Sequence, residues 1–183
     1  MTMALVVLDT LADFTSGRLA NPAAIQLIQP IAALARAARD RDDWLVVYRH
    51  DAHEPGDIEL VAFGEHAMAG SPGAAVIGEL MPQPGDLIVP KRYYSAFTPT
   101  DLDATCRIHH IDQLVMTGQH TDCCCRHTSY DAFARGIKVT AVSDATAVYE
   151  PFAASRYQRA QDDALNYLRT CYGAQVTSAA ALG

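Results

Sequence analysis

The sequence has no excess of positive charge, no long hydrophobic run and no even set of cysteines. At a net charge of −7 it lacks the basic surface that nucleic acid or an anionic membrane selects. No apolar stretch approaches the roughly 20 residues of a membrane span. The N-terminal Met1-Thr2-Met3-Ala4-Leu5 has no basic region and no cleavage site, so no secretory signal is expected. Five cysteines are an odd count, and Cys123, Cys124 and Cys125 are contiguous, which argues against a disulfide framework and fits a reducing cytoplasm. Internal repeats, linkers and low-complexity segments are missing as well. What remains is an ordinary globular composition. Its 183 residues, half of them hydrophobic and 19% charged, suffice for one domain over 1–183 and are too few for two.

Short apolar runs alternate with helical periodicity along the chain. Ala4 to Leu8 reads as a buried strand ending at Asp9. Asn21-Pro22 opens a helix as cap and first residue, with Ile25, Ile28, Ile31, Leu34 and Ala38 at helical spacing and Pro30 as a kink or break. Trp44 to Tyr48 is a second strand that delivers Arg49-His50-Asp51-Ala52-His53. The Gly- and Pro-rich stretch from Glu54 to Pro84 reads as a long excursion with short helical turns, a length usually tied to function. Leu87 to Pro90 is a third strand ending at Lys91, and a helix follows from Thr100-Asp101 to about His109. Gln113 to Gly118 is the fourth strand. It leads through a polar turn into a helix that Thr121 or Asp122 caps, with the cysteines in its first turn and Gly136 at its close. Lys138 to Val142 is the fifth strand. Arg156 to Thr170 is a helix with Ala160, Ala164, Leu165 and Leu168 inward, and a last strand lies near Ala174 to Val176. This alternation predicts an open, mostly parallel six-stranded sheet covered by helices on both faces.

Ligands of such sheets bind beyond the carboxyl ends of the strands. Asp9, Asp51, His53, Lys91 and Cys124 all fall there, a concentration of reactive groups that core packing does not explain. A thiol in a helix's first turn meets unpaired N–H groups and the positive end of the macrodipole, which favour its anion. A neighbouring carboxylate can take its proton and an ammonium can hold both charged forms, so Asp9, Lys91 and Cys124 make a nucleophilic set. Adjacent helical residues point about 100° apart, so Cys123 and Cys125 are expected as buried small hydrophobes. Asp51-x-His53 with His66 offers a carboxylate and two imidazoles, ligands suited to Zn²⁺, Fe or Mn, with His50 as a competing ligand. His109, His110 and His127 read as surface residues. Tyr93-Tyr94-Ser95-Ala96-Phe97 is either a plain loop or an aromatic wall for a flat substrate.

Several of these segments recur together in one family. They are Leu8-Asp9 with Asp13-Phe14, Asp51-x-His53, and Phe63-Gly64-Glu65-His66 followed by Gly70-Ser71-Pro72-Gly73-Ala74. With them stand Lys91-Arg92-Tyr93-Tyr94-Ser95-Ala96-Phe97, Thr100-Asp101-Leu102, Thr117-Gly118 through Cys124, Thr128, Asp131-Ala132 and Asp144-Ala145. On these residues the chain resembles the isochorismatase-like cysteine hydrolases, and most closely their nicotinamidase (pyrazinamidase) branch, over nearly its whole length. The resemblance implies a three-layer αβα, Rossmann-like doubly wound fold. It implies a hydrolase of linear amide C–N bonds, with Cys124 as nucleophile, Asp9 as proton acceptor and Lys91 as its partner. It further implies a cis peptide at Gln119-His120, an oxyanion hole from the backbone N–H groups of His120 and Cys124, and a divalent metal on Asp51, His53 and His66 that holds the pyridine nitrogen of nicotinamide. The pocket would be lined by Phe14, Phe63, Tyr94, Gln119 and His120.

Two positions depart from the branch. Phe63 stands where Trp is frequent and His120 where a small residue is. Three functions therefore stay in play: hydrolysis of nicotinamide to nicotinate and ammonia, hydrolysis of another small amide such as N-carbamoylsarcosine or a ureido acid, and a non-catalytic thiol switch on the same fold. The family's habit of forming dimers or tetramers implies a homo-oligomer acting on a small molecule, away from nucleic acid and membrane.

Overall fold

A computed structural model describes residues 2–182. In chain order its main elements are β1 (Thr2–Leu8), α1 (Ala12–Thr15), α2 (Pro22–Arg39), β2 (Trp44–Arg49), α3 (Leu60–Phe63), β3 (Leu87–Ile88), α4 (Leu102–Ile108), β4 (Ile111–Gln119), α5 (Cys124–Ala134), β5 (Lys138–Ala147), α6 (Glu150–Ala153), α7 (Tyr157–Tyr172) and β6 (Gln175–Thr177). The strands form one six-stranded sheet in the order β3-β2-β1-β4-β5-β6, and every pairing is parallel. This is the three-layer α/β architecture expected from the alternation of elements.

Strand periodicity divides the core into two. Leu5 and Val7 of β1 face the cluster under α2, while Ala4, Val6 and Leu8 face the cluster under α4, α5 and α7. Each of these aliphatic side chains is fully buried, and burial on that scale contributes about 1.5–3 kcal/mol per large residue. From β1 the chain winds outward to β2 and β3, then returns to β4 on the other side of β1. The crevice at that reversal lies over the carboxyl ends of β1 and β4, the place where this class of sheet binds ligands.

Several local expectations changed. Helix α2 runs through Pro30 without a break; its buried face rests on Ala23, Ala24, Leu27, Ile31, Ala32, Leu34, Ala35 and Ala38, whose small members let it lie close to the sheet. Ile25, expected inward, is 59% exposed. Asn21 precedes the helix without capping it: its amide donates to Gln119 Oε1 at 2.9 Å and Val148 O at 3.0 Å. Neither Thr121 nor Asp122 caps α5, whose first turn begins after Cys123. The Thr121 hydroxyl is bonded instead to Gln161 Oε1 at 3.0 Å. β3 has two residues, but Val89 N to Tyr48 O at 3.0 Å and Lys91 N to His50 O at 2.9 Å continue the alignment as far as Lys91. β5 extends to Ala147, with a register shift against β4 between Met116 and Gly118. There Gly118 has φ +95° and a Cβ would lie 1.9 Å from Leu8 O, so only glycine lets β1 and β4 approach this closely.

Candidate active site

Asp9 leaves β1 with φ +47°, in the left-handed region that costs an ordinary residue free energy. Its carboxylate turns back into the crevice, where Oδ1 accepts the Asp51 N–H at 2.9 Å and Oδ2 lies 2.9 Å from Lys91 Nζ. Lys91 is 1% exposed. Its ammonium also contacts Asp51 Oδ1, and it lies 3.7 Å from Cys124 Sγ. One buried cation is thus shared by two carboxylates and a thiol. Sequence reasoning paired Lys91 with Asp9 and Cys124; its tight contact with Asp51 is an addition. Burial would depress the Lys91 ammonium, but the charges of Asp51 and Asp9 outweigh it and raise its pKa well above the ordinary value.

The same forces sort the acids. Burial, followed by the charge of Asp51, pushes Asp9 up to about 7 against the pull of Lys91. Asp51 suffers burial too, but Lys91 and His53 overcome it and hold it well below the ordinary carboxylate value. Contact with the Cys123 thiol, and then burial, push Cys124 well above the usual thiol value. Cys123 moves the other way, down to about 6, through hydrogen bonding with Cys124 that outweighs its burial and is helped by His127. Cys125 is buried as expected, whereas Cys123 is only half-buried and faces the cavity, so its expectation as a core hydrophobe fails. The register of α5 explains this: Cys123 sits before the helix begins, outside the packed face.

Asp51, His53 and His66 lie together, with one ligand atom from each within 4.8 Å of the others. Both imidazoles are oriented through Nδ1. His53 Nδ1 meets Asp57 Oδ2 at 3.1 Å, and His66 Nδ1 meets Gly64 O at 2.8 Å. The Ala67 N–H, next to His66, is anchored on Asp13 Oδ2 at 2.8 Å. His53 Nε2 is buried without a hydrogen-bond partner, an expensive arrangement unless something fills it. A divalent cation fits that requirement, and carboxylate plus imidazole is a donor set such cations accept. His50 does not belong to the group: its Nε2 is bonded to Thr10 Oγ1 at 3.1 Å.

The Gln119-His120 peptide is cis, as the resemblance implies. The N–H groups of His120 and Cys124 find no protein acceptor among the described residues. Above them opens a cavity of about 120 Å³. Its walls are aromatic, with Phe14, Phe63, Tyr94, Tyr149 and Phe152, and Phe152 packs on both Phe63 (6.3 Å, stacked) and Tyr149 (4.7 Å, edge-on). His120 stands between Phe14 and Tyr149, with centroids at 5.7 and 5.1 Å. Gln119, expected in the pocket, lies behind it: the side chain is 1% exposed and braces Asp9 O at 3.1 Å. Asp51, Glu59 and Asp122 contribute acid to the lining, and among the described residues no lysine or arginine lines it. Burial lowers His66 and takes His120 down to about 4, so neither imidazole adds positive charge at neutral pH.

Four contributors had gone unread in the sequence. Glu59 is 6% exposed, with Oε2 3.9 Å from His53 Nε2; burial and then the charge of Asp51 push it up to about 8. Asp57 supports His53, while Tyr149 and Phe152 come from the far end of the chain. Asp57 and Glu59 follow Asp51-x-His53 at close spacing, a signal that was available; the two aromatics gave none, because nothing local marks a residue of the α6 turn as facing the crevice.

The isochorismatase domain model matches residues 3–181. Among solved structures, N-carbamoylsarcosine amidase from Thermoplasma acidophilum is 36% identical, with a TM-score of 0.86 over 98% of this chain and 97% of that one. Nicotinamidase PncA from Bacillus subtilis is 29% identical, with a TM-score of 0.85 over 97% of this chain and 100% of that one. Ureidoacrylate amidohydrolase RutB from Stutzerimonas stutzeri is 38% identical over 99 residues, which span 54% of this chain and 38% of the relative.

Proposed function

The chain belongs to the isochorismatase family, and on that premise we propose that it is a cysteine amidohydrolase that converts nicotinamide to nicotinate and ammonia. The chemistry of the cavity lining carries this reading. Flat aromatic walls suit a planar ring, and a lining with three acids and, among the described residues, no lysine or arginine suits an uncharged amide. A carboxylate-bearing substrate would meet the Asp51 and Asp122 carboxylates there, while the nearest cationic side chain, Lys91, is already shared by Asp9 and Asp51.

Asp9, poised near neutral pH, takes the Cys124 proton, and the thiolate attacks the carboxamide carbon. The Lys91 ammonium stabilises the charges as they move between Asp9 and Cys124. The N–H groups of His120 and Cys124 receive the developing oxyanion, a role worth about 2.7–4 kcal/mol per donor where it has been measured. Asp9 returns its proton to the departing ammonia. It then takes a proton from the water that cleaves the thioester, and nicotinate leaves with Cys124 again a thiol. Asp51, His53 and His66 would hold a divalent cation, zinc with iron or manganese as alternatives, which supplies a Lewis-acid anchor for the ring nitrogen. The Phe14 and Phe63 rings flank His66 at 5.5 and 6.1 Å and would confine the ring plane.

A carbamoyl or ureido acid is the second reading, favoured by the likeness to the carbamoylsarcosine and ureidoacrylate enzymes. Arg156 and Arg159 line the adjoining groove beyond Tyr149 and Phe152, outside the cavity itself. A homo-oligomer in the cytoplasm belongs to the same proposal and rests on the resemblance; no helix among the described residues is long and apolar enough to cross a membrane.

The test is ammonia release from nicotinamide and from N-carbamoylsarcosine, with and without a chelator, for the wild type and Cys124→Ala. Nicotinamide should be preferred in kcat/KM by at least about 100-fold, since the acid meets like charge in the lining. Preference for the carbamoyl acid would replace the first reading by the second, and full turnover by Cys124→Ala would remove both.

A further inference from the structure

All three residues of the candidate cation group are held from outside, by Lys91, Asp57 and Gly64 O, and Asp57 is in turn held by the neighbour of Lys91. Lys91 contacts Asp51. Arg92, the next residue, grips Asp57 through Nε at 3.0 Å to each carboxylate oxygen and through Nη2 to Oδ1. Asp57 Oδ2 also accepts the Glu54 N–H at 2.9 Å and faces His53 Nδ1 at 3.1 Å. The Asp57 side chain is 4% exposed and that of Arg92 45%, so the link runs from the surface to the interior in two steps.

We infer that Arg92 and Asp57 are positioning residues for the cation group: Arg92 locks the Asp57 carboxylate, Asp57 accepts the Nδ1 proton of His53, and Nε2 is left as the face that binds the ion. This rests on the reading that Asp51, His53 and His66 hold a divalent cation. The roles follow from hydrogen-bond chemistry. An ionised carboxylate only accepts, so the His53 nitrogen facing it must be the donor. Gly64 O likewise only accepts, which fixes His66 with its proton on Nδ1. Both rings therefore present Nε2, and His53 Nε2 is the buried nitrogen without a partner. Arginine suits its place because the planar fork engages both carboxylate oxygens, which a lysine cannot do. The Lys91-Arg92 pair thus orients two of the three candidate ligands from one short segment.

The experiment measures zinc affinity of metal-free protein by competition with a chromophoric chelator, so it needs no substrate. The variants are His53→Ala, Asp57→Ala, Asp57→Asn, Arg92→Gln and Arg92→Lys. Asp57→Ala should weaken binding about 10–100-fold, the usual effect of removing the partner of a ligating histidine. Asp57→Asn should lose less, because an amide oxygen still accepts. Arg92→Gln should weaken binding several-fold, and Arg92→Lys should recover part of that loss. Should Asp57→Ala fail to fold, the half-exposed Arg92 pair decides the matter. Wild-type affinity in both Asp57→Ala and Arg92→Gln overturns the inference while leaving the cation reading intact. Zinc binding that is absent from the wild type, or indifferent to His53→Ala, overturns that reading and the inference with it.

Discussion

The thiol side and the cation side of the crevice share one lysine but are held in different ways. Asp9 and Cys124 follow β1 and β4, the two central strands, which are paired along nearly their full length. Asp51, His53 and His66 belong to the stretch from 50 to 92, which contains only two strand residues. That stretch is fixed by isolated backbone bridges, Asp51 with Lys91 and His53 with Met68, and by polar side chains: Lys91 on Asp51, Asp57 on His53, Asp13 beside His66. A nucleophile must meet a carbonyl carbon in one geometry, so a rigid frame is worth most there. A cation draws its own ligands together and tolerates a scaffold of hydrogen bonds around them.

Cys124→Ala is the sharpest way to divide the two sides. Amide hydrolysis should fall by at least about 10³-fold, as when other covalent nucleophiles are removed. Zinc affinity should stay within about threefold of the wild type, because the thiol is not among the cation group. Loss of both together would mean that the two sides are one unit. Lys91→Met should break both at once. It strips the cation from two carboxylates that are 1% and 3% exposed, a change worth about 3–5 kcal/mol when a buried pair is broken. For a chain of this size that is roughly a 10 °C fall in Tm, measured by thermal unfolding. Adding Asp9→Asn should recover part of it by removing one uncompensated charge, and an unchanged Tm for Lys91→Met would deny that the lysine joins the two sides.

A pH profile tests the link between the sides more gently. Asp9 acts as a base only when ionised, and its pKa is pushed up to about 7. Below that value it carries a proton, so kcat/KM should fall about tenfold for each further unit of acidity and level off above it. The charge of Asp51 is the second cause of that rise, so zinc bound there should draw the midpoint of the profile below 7. A flat response between pH 5 and 8 would remove Asp9 as the proton acceptor.

The same contrast explains what the amino-acid order made legible. Strand ends can be read from apolar runs, so Asp9, Asp51, Lys91 and Cys124 were found where the sheet puts them, and the six strands appeared in order. The irregular stretch has no periodicity. Asp57, Glu59 and Arg92 could be seen there as charges but not as partners, since only the folded turn brings Arg92 onto Asp57. Local capping rules failed at Asn21 and Thr121 for a related reason. Each had a long-range partner, Gln119 and Gln161, that outbid the neighbouring backbone. His120 and Gln119 could not be distinguished by spacing, yet one faces the cavity and the other braces Asp9 from behind.

If the cation side is held by polar links, those links should be graded by burial, and its outermost one tests that. Glu54 Oε2 lies 3.1 Å from Arg92 Nη1, with the two side chains 61% and 45% exposed. Exposed pairs of this kind are worth about 0–1 kcal/mol because water screens them. Glu54→Ala should therefore change zinc affinity by less than about threefold and leave amide hydrolysis alone. The Glu54 N–H still reaches Asp57 in that variant, and Arg92 keeps its fork on the buried carboxylate. A tenfold loss would mean that the carboxylate at the rim, and not the buried Asp57, sets the position of Arg92, and the scaffold would then be organised from its surface inward.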